Sequence, residues 1–363
     1  MKDSHSLAPQ TYLMPAEWER HDGTWLAWPN DPLTFPEEII GRVEETYRRM
    51  VVELAPGERV NLLVDDEAME RRVSAFLGEH ANLSYHRIRT ADVWMRDYGP
   101  TFVRRPDGGL AAVKWIFNAW GNKYDELLAD NRAGMEVARV SGVEVLEPGV
   151  VLEGGSIDTN GQGTCLTTEQ CLLNRNRNPQ LTKEQVQGYL TRFLGFTNFV
   201  WLKEGIAGDD TDGHVDDIAR FVGDRRVVCM VEEDPSDENF EALKQNLALL
   251  RAARDERGRS LEVVPISMPR RKVGGDERLP ASYANFYVGN SAVLVPTFND
   301  PNDRVALGIL GELFKDRTVV GIHAVDLVLG FGTLHCLTQQ QPADAISSST
   351  RASSAAGSAA RVI

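Results

Sequence analysis

The sequence predicts an α/β fold built from roughly five copies of one strand–turn–strand–helix unit, and three observations carry that expectation. Apolar residues recur at three- and four-residue spacing in several segments closed by proline or glycine, the pattern of helices with one buried face. Between those segments lie pairs of short apolar runs rather than single long ones, so the strands come as hairpins. The hairpins echo one another, starting at residues 22, 97, 153, 212 and 283. Repetition of this kind closes naturally into a ring around an axis. The plain alternative is that any α+β chain alternates hairpins and helices to this degree.

Taken in order, "DGTWLAWPND" from residue 22 is a truncated copy, a corner and one strand without its mate. "PEEIIGRVEETYRRMVVELAP" (36–56) and "DEAMERRVSAFLGEH" (66–80) read as helices. "DYGPTFVRRPDGGLAAVKWIFN" from 97 and "EGGSIDTNGQGTCLTTEQCLLN" from 153 each read as a small or polar corner, a strand, a tight turn and an apolar strand. "TKEQVQGYLTRFLG" (182–195) is a helix that Thr182 can cap. "DGHVDDIARFVGDRRVVCMVEED" from 212 repeats the hairpin, "DENFEALKQNLALLRAARDERG" (237–258) is a helix, and "YANFYVGNSAVLVPTFND" from 283 is the last hairpin. Residues 1–342 are expected to form a single domain. The tail 343–363, small and polar, can bury little and is expected to be disordered.

Composition narrows the partners. A net charge of −14 argues against nucleic acid or an anionic membrane and suits a cationic small molecule. No run approaches the length of a membrane span, and the start "MKDSHSLAPQTYL" lacks the apolar core of a secretory signal. The four cysteines, at 165, 171, 229 and 336, make neither a disulfide framework nor a CxxC pair, so reduced thiols and a cytoplasmic location are expected. Nothing separates an interface from a core face, which leaves a homo-oligomer open.

Several copies begin with ionisable residues, Asp97, Glu153, His214 and Asp216, and in a ring such corners would converge on the axis. If 213–219 starts a strand, His214 and Asp216 share a face while Val215 and Asp217 share the other, placing a general acid/base beside a carboxylate. The same acidic stretch departs from the calcium-loop pattern at Gly208 and Ala219, and a solvated acidic turn is its plain reading. Asp97 follows Arg96 at a sharp turn, so an ion pair within the turn competes with a site role. Glu153 precedes two glycines that let backbone pass close to something, or it is an exposed acid. Gly330 and Gly332 form a lone GxG, too little for a dinucleotide. Cys165, Cys171 and Cys229 sit in apolar surroundings and read as core. Cys336 is a nucleophile, a metal ligand or a buried filler. His335, adjacent on an extended segment, should point away from it, which leaves His214 as the better-equipped partner. Trp94 is a wall for a substrate chain or a packed core ring.

Taken together these stretches resemble the agmatine deiminase and bacterial peptidylarginine deiminase family of guanidino-group modifying enzymes. The resemblance rests on "MPAEWERHDGTWLAWP" (14–29), "DVWMRDYGPTFV" (92–103), "LEGGSIDTNGQGTCLTT" (152–168), "DTDGHVDDIARFV" (210–222), "YANFYVGNSAVLVPTFNDPND" (283–303) and "HCLTQQQP" (335–342). It implies a five-bladed, pseudo-fivefold α/β propeller, the pentein fold. It also implies Cys336 as nucleophile, His214 as general acid/base, Glu153 as the carboxylate orienting it, and Asp97 and Asp216 gripping a guanidinium, with no metal or organic cofactor; Trp94 and Phe331 are expected beside the substrate on their own chemistry. Agmatine conversion to N-carbamoylputrescine and ammonia is the leading reaction it implies. Deimination of free or peptidyl arginine is the nearest rival, and a non-catalytic acidic cation-binding protein the rival of another class. The family's usual G-G-G-N-I-H-C is here Gly330-Phe331-Gly332-Thr333-Leu334-His335-Cys336, so Phe331 and Thr333 are expected to decide which guanidine enters.

Overall fold

A computed structural model describes residues 12–344. Six separate sheets account for its strands, and five of them share one plan. In the first, β1 (His21–Ala27), β2 (Arg59–Val64) and β3 (Leu83–Arg87) run parallel, with helices Glu37–Leu54 and Glu67–Leu77 making the crossovers. In the second, β4 (Thr101–Arg104) and β5 (Leu110–Val113) form an antiparallel pair, and β6 (Glu144–Leu146) adds in parallel after a helical crossover. The same order recurs in β7 (Ile157–Thr159), β8 (Thr164–Thr168) and β9 (Asn198–Leu202), and in β10 (Ala219–Phe221), β11 (Arg226–Val231) and β12 (Glu262–Ser267). A small hairpin, β13 (Val273–Gly274) with β14 (Glu277–Arg278), precedes the fifth sheet of β15 (Tyr287–Val288), β16 (Ala292–Thr297) and β17 (Thr318–His323).

The last strand, β18 (Gln339–Pro342), pairs antiparallel with β1, setting Trp25 opposite Gln339 and Thr24 opposite Gln340. This explains the truncated first copy. Its antiparallel mate comes from the far end of the chain, so no local hairpin exists for a sequence scan to find.

The helices form for the reasons their patterns give. In Glu37–Leu54 the buried residues Val43, Tyr47, Met50, Val51 and Leu54 fall on one face, and Glu37 and Glu38 in the first turn complement the helix dipole. Thr182 caps Lys183–Leu194 as expected, its side chain accepting from Gln185 N while the Gln185 side chain reaches back to Thr182 N. The helix expected over 237–258 is shorter, Phe240–Ala252. Beyond it the Asp255 carboxylate accepts from the backbone N–H groups of Arg257 and Arg259 and turns the chain. Two further helices, Asp130–Val140 and Asp303–Leu313, complete the crossovers.

Three local expectations are corrected. Residues 215–217 form a 3-10 turn, not the start of a strand, and β10 begins only at Ala219. Residues 334–337 form a turn, so Cys336 precedes β18 rather than sitting in an extended run. Cys171 lies on the short helix Glu169–Leu172, though it is buried as core, like Cys165 and Cys229. Most of the proposed tail, 345–363, lies outside the described residues, while Ala343 is still tied down, its N–H donating to Arg20 O at 2.7 Å.

Candidate active site

Four corners that lead into strands meet at one place. Asp97 sits on the helical turn Met95–Tyr98 before β4, Glu153 caps the 3-10 turn Gly154–Ser156 before β7, His214 caps the turn Val215–Asp217 before β10, and Cys336 lies in the turn before β18. A Cβ at Gly155 would lie 2.5 Å from His214 Nδ1, 3.0 Å from Asp97 Oδ1 and 3.1 Å from Asp216 Oδ2. Three functional groups therefore crowd around one bare Cα, a position that admits only glycine.

The two aspartates are held differently. Asp97 accepts from Trp120 Nε1 at 2.9 Å and from Gly155 N at 3.0 Å, and its Oδ1 lies 3.7 Å from His214 Nδ1. Burial pushes its carboxyl up to about 6; His214 opposes the rise and Asp216 adds to it. Asp216 is also fully enclosed, yet the hydrogen bond and charge of His335, followed by His214 and Arg220, hold its carboxyl below the ordinary range. His335 is clamped between carboxylates, with Nδ1 2.6 Å from Asp216 Oδ2 and Nε2 2.8 Å from Glu17 Oε2. Glu17 in turn meets Arg220 at 2.9 Å and Arg96 at 3.4 Å.

His214 is 1% exposed, and among the described residues neither ring nitrogen has a hydrogen-bond partner. Burial disfavours its charge, but Asp97, neighbouring Cys171 and Asp216 hold its proton well above the usual imidazole range. Its backbone N–H donates to Asp209 Oδ2 and Thr211 Oγ1, so the acidic loop before it serves as a bracket. Asp212 is paired with Lys123 and Arg177 and also accepts from Asn176, while Asp210 accepts from the uncharged Tyr124 hydroxyl and faces the cavity. Glu153, Cys171 and His214 do bring three candidate metal-ligand atoms within 4.8 Å of one another. The Arg177 guanidinium, donating to Glu153 Oε1 at 2.7 Å, opposes a second cation at that point.

The Cys336 Sγ takes an N–H from Asn285 Nδ2 at 3.1 Å and stands 3.9 Å from Asp216 Oδ2. Burial pushes this thiol well up, and Asp216, Asp217 and Asp97 push it further. A cavity of about 190 Å³ opens onto Cys336 and Asp97. Trp94, Trp120 and Phe331 line it, and Asp31, Asp92, Glu126 and Asp210 add acid; no lysine or arginine is among its lining residues. The arrangement can hold a planar cation by its N–H groups, set its carbon against sulfur and keep an imidazolium beside it.

Residues 13–342 match the model of the Porphyromonas-type peptidyl-arginine deiminase family. The chain belongs to that family. The agmatine deiminase of Stutzerimonas stutzeri strain A1501 is 38% identical over 360 residues, covering 92% of this chain and 96% of that one. Among solved structures, the agmatine deiminase of Enterococcus faecalis superposes with a TM-score of 0.87 at 31% identity, covering 93% of this chain and 98% of that one. A cysteine-to-serine form of the C. jejuni agmatine deiminase with substrate bound gives 0.84 at 28% identity, covering 94% and 99%.

Within this peptidyl-arginine deiminase family chain, the residues singled out from the sequence fall into two groups. Asp97, Trp94, Phe331 and Cys336 line the cavity, and His214, Asp216 and Glu153 lie buried beside them. The alternatives for two of them fail. Arg96 turns from Asp97 toward Gln340 and Glu17, and Glu153 is fully buried. Two expectations need correction. His335 does not point away into unrelated surroundings, because the turn brings it to the same Asp216 oxygen that faces Cys336. Thr333 does not shape the cavity mouth; it is 1% exposed and donates to Asn285 Oδ1 at 2.7 Å. Sequence reasoning passed over Asn285, Trp120, Arg177 and Glu17. Asn285 stands inside the quoted "YANFYVGN", where the hairpin pattern drew attention away from its amide.

Proposed function

We propose that this chain is a cysteine-dependent amidine hydrolase that converts agmatine and water to N-carbamoylputrescine and ammonia. The observation that carries the choice of substrate is the cavity lining, acidic from the thiol outward and without a lysine or arginine. Agmatine is cationic at both ends and meets acid along this lining, whereas arginine would bring a carboxylate beside Asp31 and Glu126, with Arg89 and Arg132 lining only the adjoining outer cavity. The agmatine deiminases among its relatives support the same reading.

In this reading Asp97 and Asp216 hold the guanidinium, Trp94 and Phe331 flank the substrate's methylene chain, and the Cys336 thiolate attacks the central carbon. The S–C bond forms, His214 gives its proton to the leaving nitrogen, and the C–N bond breaks to release ammonia. Water, deprotonated by His214, then forms the C–O bond as the S–C bond breaks and the thiolate returns. Glu153 positions His214 from behind, itself fixed by Arg177. The five sheets of one plan, with their leading corners gathered at one site, support a five-bladed pentein propeller formed as one domain by residues 12–342, the first eleven residues of the expected domain lying outside the described residues. Four unpaired cysteines suit a reducing, cytoplasmic setting, and among the described residues no helix is long and apolar enough to cross a membrane.

A side-by-side turnover test of agmatine, arginine and an arginine-ended peptide, read by ureido product, decides the matter. Agmatine is expected to react fastest, with product lost in Cys336→Ala and retained in chelator. Preference for either arginine substrate overturns the substrate choice, and ureido formation by Cys336→Ala overturns the mechanism.

A further inference from the structure

Beside the Cys336 sulfur stands a side-chain amide. Asn285, 1% exposed, precedes β15 and reaches under the turn that carries Cys336. Its Oδ1 accepts from Thr333 Oγ1 at 2.7 Å, His335 N at 3.0 Å and Cys336 N at 3.4 Å. Its Nδ2 faces Cys336 Sγ at 3.1 Å and Asp216 Oδ2 at 3.4 Å. The orientation of the amide is fixed by its partners, because a flipped amide would set N–H groups against two backbone N–H groups. The Asn285 backbone carbonyl takes a further bond from His335 N at 3.1 Å, so side chain and main chain grip the same turn.

We propose that Asn285 is a catalytic residue of this enzyme, donating an N–H to the Cys336 sulfur so that the thiolate can exist beside three buried aspartates, while its oxygen fixes the turn that presents that sulfur. The inference rests on Cys336 being the nucleophile. Around Sγ the charges are Asp97 from the turn before β4, Asp216 and Asp217 from the turn before β10, and the His214 and His335 imidazoles. The carboxylates oppose a thiolate. A donor on sulfur favours it, and does so more strongly in a dry site than in water. The contact helps in both halves of the reaction. Before attack it raises the thiolate fraction, and the accompanying loss of nucleophilicity offsets only about half of that gain. In the second half the S–C bond breaks and sulfur leaves with the electron pair, and the same N–H stabilises the departing thiolate.

The test is a thiolate absorbance titration of the free enzyme, taken as a difference against Cys336→Ala so that the other cysteines cancel. Asn285→Ala is expected to raise the Cys336 midpoint by about one unit, the size of a hydrogen bond to a charged group. Asn285→Asp keeps an oxygen for all three Oδ1 contacts but replaces the donor with an anion. It is expected to raise the midpoint further than alanine does, and kcat is expected to fall about tenfold or more in both. If Asn285 only anchored the turn, loss of the donor in the alanine form would leave the Cys336 midpoint at the native value, and that result overturns the proposal. Should the Asn285 variants fail to fold, Thr333→Val loosens one anchor and leaves the donor in place. Its midpoint is then expected to stay within a few tenths of the native one, and a rise of about one unit, which would show that the anchor alone sets it, overturns the proposal. No substrate is present in the titration, so its outcome is independent of which guanidine the enzyme prefers.

Discussion

Asp97 holds a carboxylate in a dry corner, and at neutral pH that charge opposes folding. Its folded value of about 6 lies above the ordinary 3.8, so its contribution is fully present below 3.8 and is lost as pH rises through 6. Asp97→Asn is therefore expected to raise the free energy of unfolding at pH 7, by up to about 3 kcal/mol less what the Trp120 and Gly155 hydrogen bonds lose, and to give little gain at pH 4. The same substitution should remove activity. Calorimetry at the two pH values checks the first statement and the ureido assay the second. His214 and Cys336 give the same sign at higher pH, since both folded values are raised and both contributions fade as pH climbs. Melting temperature is expected to fall from pH 7 to pH 10, less steeply in Cys336→Ala. A cationic substrate analogue should move the thiolate absorbance curve to lower pH, and coincident curves would remove the idea that substrate charge helps ionise the thiol. At the outer end of the cavity, Glu126→Gln or Asp210→Asn should raise KM for agmatine about 2- to 10-fold with little change in kcat.

At the scale of elements, two glycines make opposite predictions from the same substitution. Gly155→Ala forces a methyl to within 2.5 Å of His214 Nδ1, so activity should fall at least about a hundredfold. Gly188→Ala, mid-helix with nothing within 4 Å of the added methyl, should stabilise by about 0.5–1 kcal/mol and leave activity unchanged. Thermal unfolding and the ureido assay separate the two. Elements with one buried face were legible because their pattern is local. The capping box at Thr182 and the helix from Glu37 appear where the residues put them. The turn at Val215–Asp217 was not, because a 3-10 turn and a strand start look alike over three residues. His214, Asp97, Asp216 and Glu153 could be singled out because each stands at a polar corner before a strand, whereas Cys336 drew its role only from the family resemblance. Asn285 and Arg177 act on partners tens of residues away, and nothing in their own neighbourhoods announces those contacts.

For the whole molecule, the net charge of −14 sets the long-range field. A doubly cationic substrate should be drawn toward the acidic mouth, so kcat/KM for agmatine is expected to fall as salt rises while kcat holds nearly constant. A rate insensitive to ionic strength would show that the field plays no part in capture. The pairing of β18 with β1 bears on when the enzyme first becomes active. Asp97, Glu153, His214 and Asp216 are all translated well before Cys336, which immediately precedes the final strand. On the proposed roles, a chain interrupted before this point lacks both the nucleophile and the His335 that holds Asp216, and it leaves one edge of β1 unpaired. Such a fragment offers an open strand edge to neighbouring chains, so prematurely ended products are a hazard for aggregation rather than a source of partial activity.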